Sequence, residues 1–385
     1  METAPHHLYV HVPFCRLVCA YCDFVTVGGR ADDIPRYAGA LLAEMAARPA
    51  PGELRTIYFG GGTPSVLDAS DVGRIVDAAR GRWGAVALEE VTLEANPSRR
   101  ETPDWVGLRA AGVTRISLGV QSLRDEDLVA LARGHAASEA REAFASAREA
   151  FDNVSIDLIY GIPGQSLAGW REGLAAAVEL RPDHVSCYAL QLALEPDEWA
   201  APPRPGALRW RSRVASRQDE ALAAEQYRVA EELLSDAGYE HYELSSWARP
   251  GRASRHNSAY WARHAYTGLG AGAHSYDGRD ERSWNMRELD RYLVAVESGA
   301  APVADRETLD EPTRAFEAIA LGLRRIGGIS RNAFALEFGA DPTERFADAV
   351  SAATRDALIE IEGDGMRLTR DGRLLASQAL LAFAP

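Results

Sequence analysis

Tyr9-Val-His-Val-Pro-Phe-Cys15-Arg-Leu-Val-Cys19-Ala-Tyr-Cys22-Asp-Phe24 is the stretch on which the reading of this chain turns. It opens as a β-strand, with Val10 and Val12 on one face and Tyr9 and His11 on the other. The strand runs straight into three cysteines spaced C-x3-C-x2-C. Thiolates are soft donors, suited to iron–sulfur clusters and to zinc. Structural zinc wants four ligands, and this loop offers three, with no histidine at the usual partner spacing.

Three cysteines on a cubane cluster leave one iron without a protein ligand. Such an iron can bind the amino and carboxylate groups of S-adenosylmethionine and pass an electron to its sulfonium. Methionine and a 5′-deoxyadenosyl radical result. The cofactors carry that chemistry while the protein positions them. Cys15, Cys19 and Cys22 are therefore expected to ligate a 4Fe-4S cluster. The fourth cysteine, Cys187, reads as a small buried filler on a later strand.

Outward from the cluster loop, short β-rich runs alternate with amphipathic helical runs up to about Pro196. The expected strands are Leu8–Val12, Thr56–Phe59, Val91–Glu94, Arg115–Leu118, Val154–Ile159 and His184–Tyr188. Helices are expected over Ile34–Ala47, over Asp71–Arg82 with Asp68 or Ser70 as N-cap, and over Ser138–Ala150 and Leu167–Glu179. Six such βα units predict an α/β fold with a parallel sheet, an open, partial (β/α)6 barrel of TIM type. The site would then lie at the C-terminal strand ends. Pro202-Pro-Arg-Pro-Gly206 marks a break, and Arg209-Trp-Arg-Ser-Arg213 reads as part of a linker. A long helix is expected over Ser216–Ala237, then an aromatic-rich stretch over Tyr239–Tyr276. From about Glu311 a small helical module ends in a hairpin over Leu358–Thr369, a winged-helix-like pattern. The expected divisions are a barrel over 1–200, an accessory, heme-binding region over 201–305 and a C-terminal domain over 306–385.

The 385 residues carry a formal net charge of -14, which argues against nucleic-acid binding. All 42 basic residues are arginine, which excludes lysine Schiff bases and a phosphate-loop lysine. Residues 1–7 carry no leader pattern and no run of ~18 apolar residues exists, so a cytoplasmic location is expected.

The cluster loop is similar to that of radical SAM enzymes, and its wider pattern resembles the coproporphyrinogen-oxidase-like branch of that superfamily. The resemblance continues through Gly60-Gly-Gly-Thr-Pro-Ser, Glu94-Ala-Asn-Pro, Gly119-Val-Gln-Ser, Arg133-Gly-His and Ile156-Asp-Leu-Ile-Tyr-Gly-Ile-Pro-Gly-Gln. It goes on through Tyr242-Glu-Leu-Ser-Ser-Trp-Ala, His256-Asn-Ser-Ala-Tyr-Trp and Gly268-Leu-Gly-Ala-Gly-Ala-His-Ser. Within the branch, oxygen-independent coproporphyrinogen III dehydrogenases have a further cysteine two residues past the third. Here Phe24 fills that slot, and the first cysteine already stands at position 15. The pattern His256-Asn-x-x-Tyr-Trp resembles that of the heme chaperones of the HemW group. Heme handling is thus the implied role, with the dehydrogenase and a radical methyltransferase as alternatives. Whether the chain turns over a substrate stays open.

The resemblance implies roles for particular residues. Gly61, Gly62 and Thr63 would contact the methionyl end of S-adenosylmethionine, and Glu94 its polar groups. Gln121 offers a donor and an acceptor, and Arg133 would hold a carboxylate. Asp157, in an apolar strand, needs a partner such as Arg133 or a ribose hydroxyl. Tyr9 would face the cluster loop and Tyr21 the adenine. His256 would be an axial heme ligand, with His135 and His274 as weaker candidates. Carry-over near Gln191 is broken by a segment about two residues longer than usual. The implied partners are heme, a heme-acceptor protein, an electron donor for the cluster and a second copy of the chain.

Overall fold

A computed structural model describes residues 5–49, 52–84, 88–192 and 206–384. The break expected at 202–206 therefore lies almost wholly outside the described residues.

Six strands alternate with helices as the periodicity predicts: β1 (Pro5–Val12), β2 (Glu53–Gly61), β3 (Glu90–Ala95), β4 (Arg115–Gln121), β5 (Val154–Tyr160) and β6 (His184–Ala189). Between them run α1 (Ile34–Ala47), α2 (Ala69–Trp83), α3 (Trp105–Ala110), α4 (Ala137–Ala150) and α5 (Leu167–Glu179). Leu8, Val10 and Val12 turn to the helix layer and pack in one core with Tyr37, Leu41 and Met45 of α1. Those helical residues recur every four positions and form its buried stripe. Helix α2 ends where Gly84 takes the left-handed conformation and its N–H bonds the Arg80 carbonyl. Asp68 is its N-cap residue by position, but makes no side-chain cap bond.

The main sheet is larger than the six expected strands. After α6 (Ala207–Ala215) and α7 (Glu220–Asp236) come β7 (Glu240–Glu243), β8 (Ser246–Ala248), α8 (Arg255–Trp261), β9 (Ala265–Leu269), β10 (His274–Tyr276), β11 (Glu281–Asn285), α9 (Leu289–Glu297) and β12 (Val303–Thr308). The strand order is β12-β11-β10-β9-β1-β2-β3-β4-β5-β6-β8-β7, open at both ends. Strand β9 pairs in parallel with β1, Tyr9 opposite Gly268, so β1 is central and seven strands run parallel. A glycine inside the strand, Gly268, conceals β9 in the sequence. Gly268 is needed there, because a Cβ would lie 2.0 Å from the His274 carbonyl oxygen.

Two further expectations need correction. The long helix begins at Glu220 rather than Ser216, because Asp219 caps it by accepting from the Leu222 amide. The Arg209–Arg213 run is no linker: it lies within α6, with Arg211 buried. The C-terminal residues form α10 (Glu311–Gly322), α11 (Arg331–Phe338), α12 (Ala347–Arg355) and a three-stranded sheet of β13 (Ile329–Ser330), β14 (Ile359–Glu362) and β15 (Gly365–Leu368). This part has its own core, including Ile319, Phe334, Val350, Met366 and Phe383. Among the described residues no helix is long and apolar enough to cross a membrane.

One buried carboxylate ties the added strands to the first helix. Glu44 of α1 accepts from the Gly270 amide (2.9 Å), Asn285 Nδ2 (2.7 Å), the Tyr292 hydroxyl (2.7 Å) and Arg48 Nη2 (2.7 Å). Replacing it by Leu strands these donors in the core. We expect Glu44→Leu to cost about 3 kcal/mol, read as a fall in the denaturant midpoint with the slope unchanged.

Candidate cluster and cofactor site

Strand β1 delivers the chain to the cluster loop at Pro13. The loop base is held by a two-residue parallel bridge, Phe14–Cys15 with Val27–Gly28. The Val27 amide donates to the Pro13 carbonyl (2.8 Å), and His11 Nε2 lies 2.8 Å from the Val25 carbonyl. The end of β2 presses on the loop from the other side, which only glycine permits. A Cβ on Gly62 would meet the Pro13 carbonyl at 2.7 Å, and one on Gly61 (φ +112°) would meet the His11 ring at 2.4 Å.

The thiols are placed by residues distant in sequence. Thr63 Oγ1 donates to Cys15 Sγ (3.5 Å) and itself accepts from Asn96 Nδ2 (2.8 Å). Arg133 Nη1 donates to Cys19 Sγ (3.0 Å), while the Cys22 amide bonds the Cys19 carbonyl (3.2 Å). Burial above all, with the neighbouring sulfurs adding to it, pushes Cys15 up to about 12 and Cys22 up to about 11. Cys15 and Cys22, which resist ionisation, become thiolates readily only beside a metal's positive charge. Three thiols on one loop, all lining the same cavity, suit a cluster in which each cysteine binds a different iron. The donor set thus fits a 4Fe-4S cluster.

Beside the loop, at the C-terminal ends of the parallel strands, opens a cavity of about 380 Å³. All three cysteines line it, together with Tyr21, Gly61, Gly62, Glu94, Gln121, Arg133 and Asp157. Gln191 also lines it, despite the longer segment there. Phe24 lines the rim and is 66% exposed. Thr63 stands behind Cys15 rather than on the wall. Tyr9 is not on the wall either. Its ring stacks on Tyr58, centroids 6.3 Å apart, and its hydroxyl bonds His11 Nδ1 (3.1 Å).

His256 sits on α8, fully buried and off the cavity wall. Its Nδ1 is 2.7 Å from Thr56 Oγ1 and its Nε2 is 3.0 Å from the Tyr260 hydroxyl. Glu90 accepts from its backbone amide (3.1 Å) and so caps the helix. Burial holds the imidazole neutral, well below its ordinary value. Both nitrogens are occupied, so iron ligation requires one of these bonds to open. His135 bonds the Val120 carbonyl (3.1 Å), and His274 is exposed on β10 against Trp284. Cys187 is buried in the core.

The carboxylates are compensated differently from the sequence expectation. Arg133 does not pair with Asp157. Its donors go to Cys19, Tyr21 (3.3 Å), Asn96 (3.1 Å) and the Gly119 carbonyl (2.9 Å). Asp157 instead accepts from Ser117 Oγ (3.2 Å). Burial raises it, against the Ser186 hydroxyl and the charge of Arg115. Burial pushes Glu94 up to about 7, held back by the Tyr58 hydroxyl (2.7 Å), while Asp157 adds to the rise. Arg115, Tyr58, Asn96, Ser117 and Ser186 of this lining were missed in the sequence. The signal was present for two of them. Arg115, Ser117, Gly119 and Gln121 alternate along β4, and all four line the cavity.

The fold and the loop define a radical SAM protein: residues 9–174 match the radical SAM superfamily, and 309–375 match the HemN C-terminal domain. The structure superposes on the coproporphyrinogen III oxidase HemN of Escherichia coli with a TM-score of 0.82 at 23% identity. That likeness covers 99% of this chain and 90% of the other. In sequence the chain is 37% identical to the heme chaperone HemW of Mycobacterium tuberculosis (98% of this chain, 94% of the relative). It is 31% identical to that of Bacillus subtilis (97% and 98%) and 36% identical to that of Escherichia coli (82% and 82%). The chain belongs to the heme chaperone HemW family.

Arg115 is the cation facing both cavity carboxylates. We expect Arg115→Met to weaken S-adenosylmethionine binding about tenfold, roughly 1.4 kcal/mol, in anaerobic calorimetry of reconstituted protein.

Proposed function

We propose that this chain binds heme and hands it to an acceptor protein, with a 4Fe-4S cluster and S-adenosylmethionine at the cavity. The observation that carries this is the near-full-length similarity to HemW proteins, in a chain whose cluster loop has Phe24 where the dehydrogenase pattern has a cysteine. When bound, the cluster supplies the electron for reductive cleavage of S-adenosylmethionine. The chain's own residues do the rest. Gly61 and Gly62 let the backbone approach the methionyl end, and Thr63 and Arg133 hold the cysteine sulfurs. Gln121, Glu94 and Asp157 accept from the ligand's polar hydrogens, and Tyr21 flanks its base.

Glu94 titrates within reach of physiological pH. Its folded value lies above its ordinary one, so at lower pH it is protonated and a poorer acceptor. Affinity for S-adenosylmethionine should therefore rise as pH passes upward through about 7. Glu94→Gln should bind more weakly at high pH and flatten the profile.

Heme is cargo in this reading. Axial ligation by His256 requires its ring to leave Tyr260 or Thr56, a step that belongs to the heme-loaded state. The electron donor, a heme-dependent dimer, a cytoplasmic location and the division into 1–200, 201–305 and 306–385 are parts of the same proposal. The test is an anaerobic hemin titration followed at the Soret band. Wild type should show saturable, stoichiometric binding, and His256→Ala a shifted or lost band. Weak, unsaturable binding shared by the variant would reject heme handling. Decarboxylated porphyrinogen among the products would favour the dehydrogenase.

A further inference from the structure

We infer that Arg211 is a positioning residue for the cluster loop: a guanidinium strut from α6 that sets the Ala20–Asp23 half of the loop. Helix α6 carries three arginines within five positions, and they are not alike. Arg209 and Arg213 are exposed, whereas Arg211 is 1% exposed. Its Nε donates to the Ala20 carbonyl (2.9 Å) and its Nη2 to the Cys22 carbonyl (2.9 Å). Its Nη1 stands 2.5 Å from Asp23 Oδ1, a close ion pair rather than an aligned hydrogen bond. One side chain thus grips three acceptors across four consecutive residues, one of them the carbonyl of a cluster cysteine.

The loop needs such a grip. Its base is fastened by the Phe14–Cys15 bridge to Val27–Gly28, but between Cys15 and Val27 the backbone makes only the Cys22-to-Cys19 turn among the described backbone hydrogen bonds. A single turn does not hold a loop against its conformational entropy. The strut itself is anchored. Val214 packs with Leu131, Ile159, Ile162 and Leu190 at the strand ends, and Gln218 Nε2 donates to the Leu190 carbonyl (2.7 Å). Trp210 meets the Tyr21 ring, centroids 6.5 Å apart. Burying a guanidinium is costly unless its donors are met, and a planar fork can meet several acceptors at once where an ammonium cannot. The pair also neutralises Asp23, whose charge otherwise stands beside Cys22. The two carbonyl bonds set geometry, and the ion pair sets charge.

The inference rests on the cluster reading, and the experiment separates the two. Full-length wild type, Arg211→Lys, Arg211→Met and Asp23→Asn are reconstituted anaerobically with iron and sulfide. Three quantities are read: iron per chain, the rate of cluster bleaching by an iron chelator, and the electron paramagnetic resonance spectrum with S-adenosylmethionine added. Circular dichroism checks the fold. Arg211→Met should lose its cluster at least fivefold faster than wild type, with an altered spectrum. Arg211→Lys, which keeps the charge and stem without the fork, should lie between them. Asp23→Asn, which keeps both carbonyl bonds, should bleach within twofold of wild type. If Arg211→Met does not fold, Arg211→Lys decides alone. Folded Arg211 variants with wild-type bleaching and spectra would overturn the strut and leave the cluster standing, even if their melting temperatures fall. A wild-type chain that takes up no cluster would overturn both.

Discussion

The central place of β1 is the constraint on which the rest depends. Parallel partners hold it on both sides, β2 and β9, so its C-terminal end cannot fray outward and the cluster loop must leave from the middle of the sheet. Gly61 and Gly62 then let β2 close onto the loop, and Thr63 and Arg133 reach the sulfurs from neighbouring units. The residues around the cluster come from across some 200 positions of chain: from strand ends, from the loop that carries Arg133 and from helix α6.

Much of this was legible. Strand residues with alternating faces and helices with four-residue stripes placed the six βα units closely, and α1 and α5 fall on their expected boundaries. The sequence was opaque where an element's logic is not periodic. Strand β9 hides behind a glycine, Gly268, demanded by the His274 carbonyl, and α6 looked like a basic linker because two of its three arginines are indeed on the surface. Arg211 differs from them only in what it meets inside. Asp157 was rightly suspected of needing compensation, but its partners on neighbouring strands, Ser117, Ser186 and Arg115, follow from sheet register, which spacing along the chain does not encode.

The cavity joins two demands that conflict in ordinary protein interiors. It holds buried carboxylates near a buried guanidinium, with thiols that do not ionise by themselves. Each is expensive alone; together they make a polar pocket shaped for a charged ligand beside a metal cluster. Behind the wall residue Tyr58 lie His256 and Tyr260, bonded to each other and, through His256, to Thr56. Cluster and S-adenosylmethionine chemistry can therefore be confined to the cavity, and the heme loading proposed above would need a change at α8 or a surface elsewhere.

The chemistry of this site depends on the open iron. The decisive measurement is the electron paramagnetic resonance spectrum of the reduced, reconstituted chain before and after S-adenosylmethionine is added. The account predicts a 4Fe-4S signal that the ligand shifts, and that Cys19→Ala abolishes. A signal indifferent to the ligand, or one that survives the loss of Cys19, would contradict it.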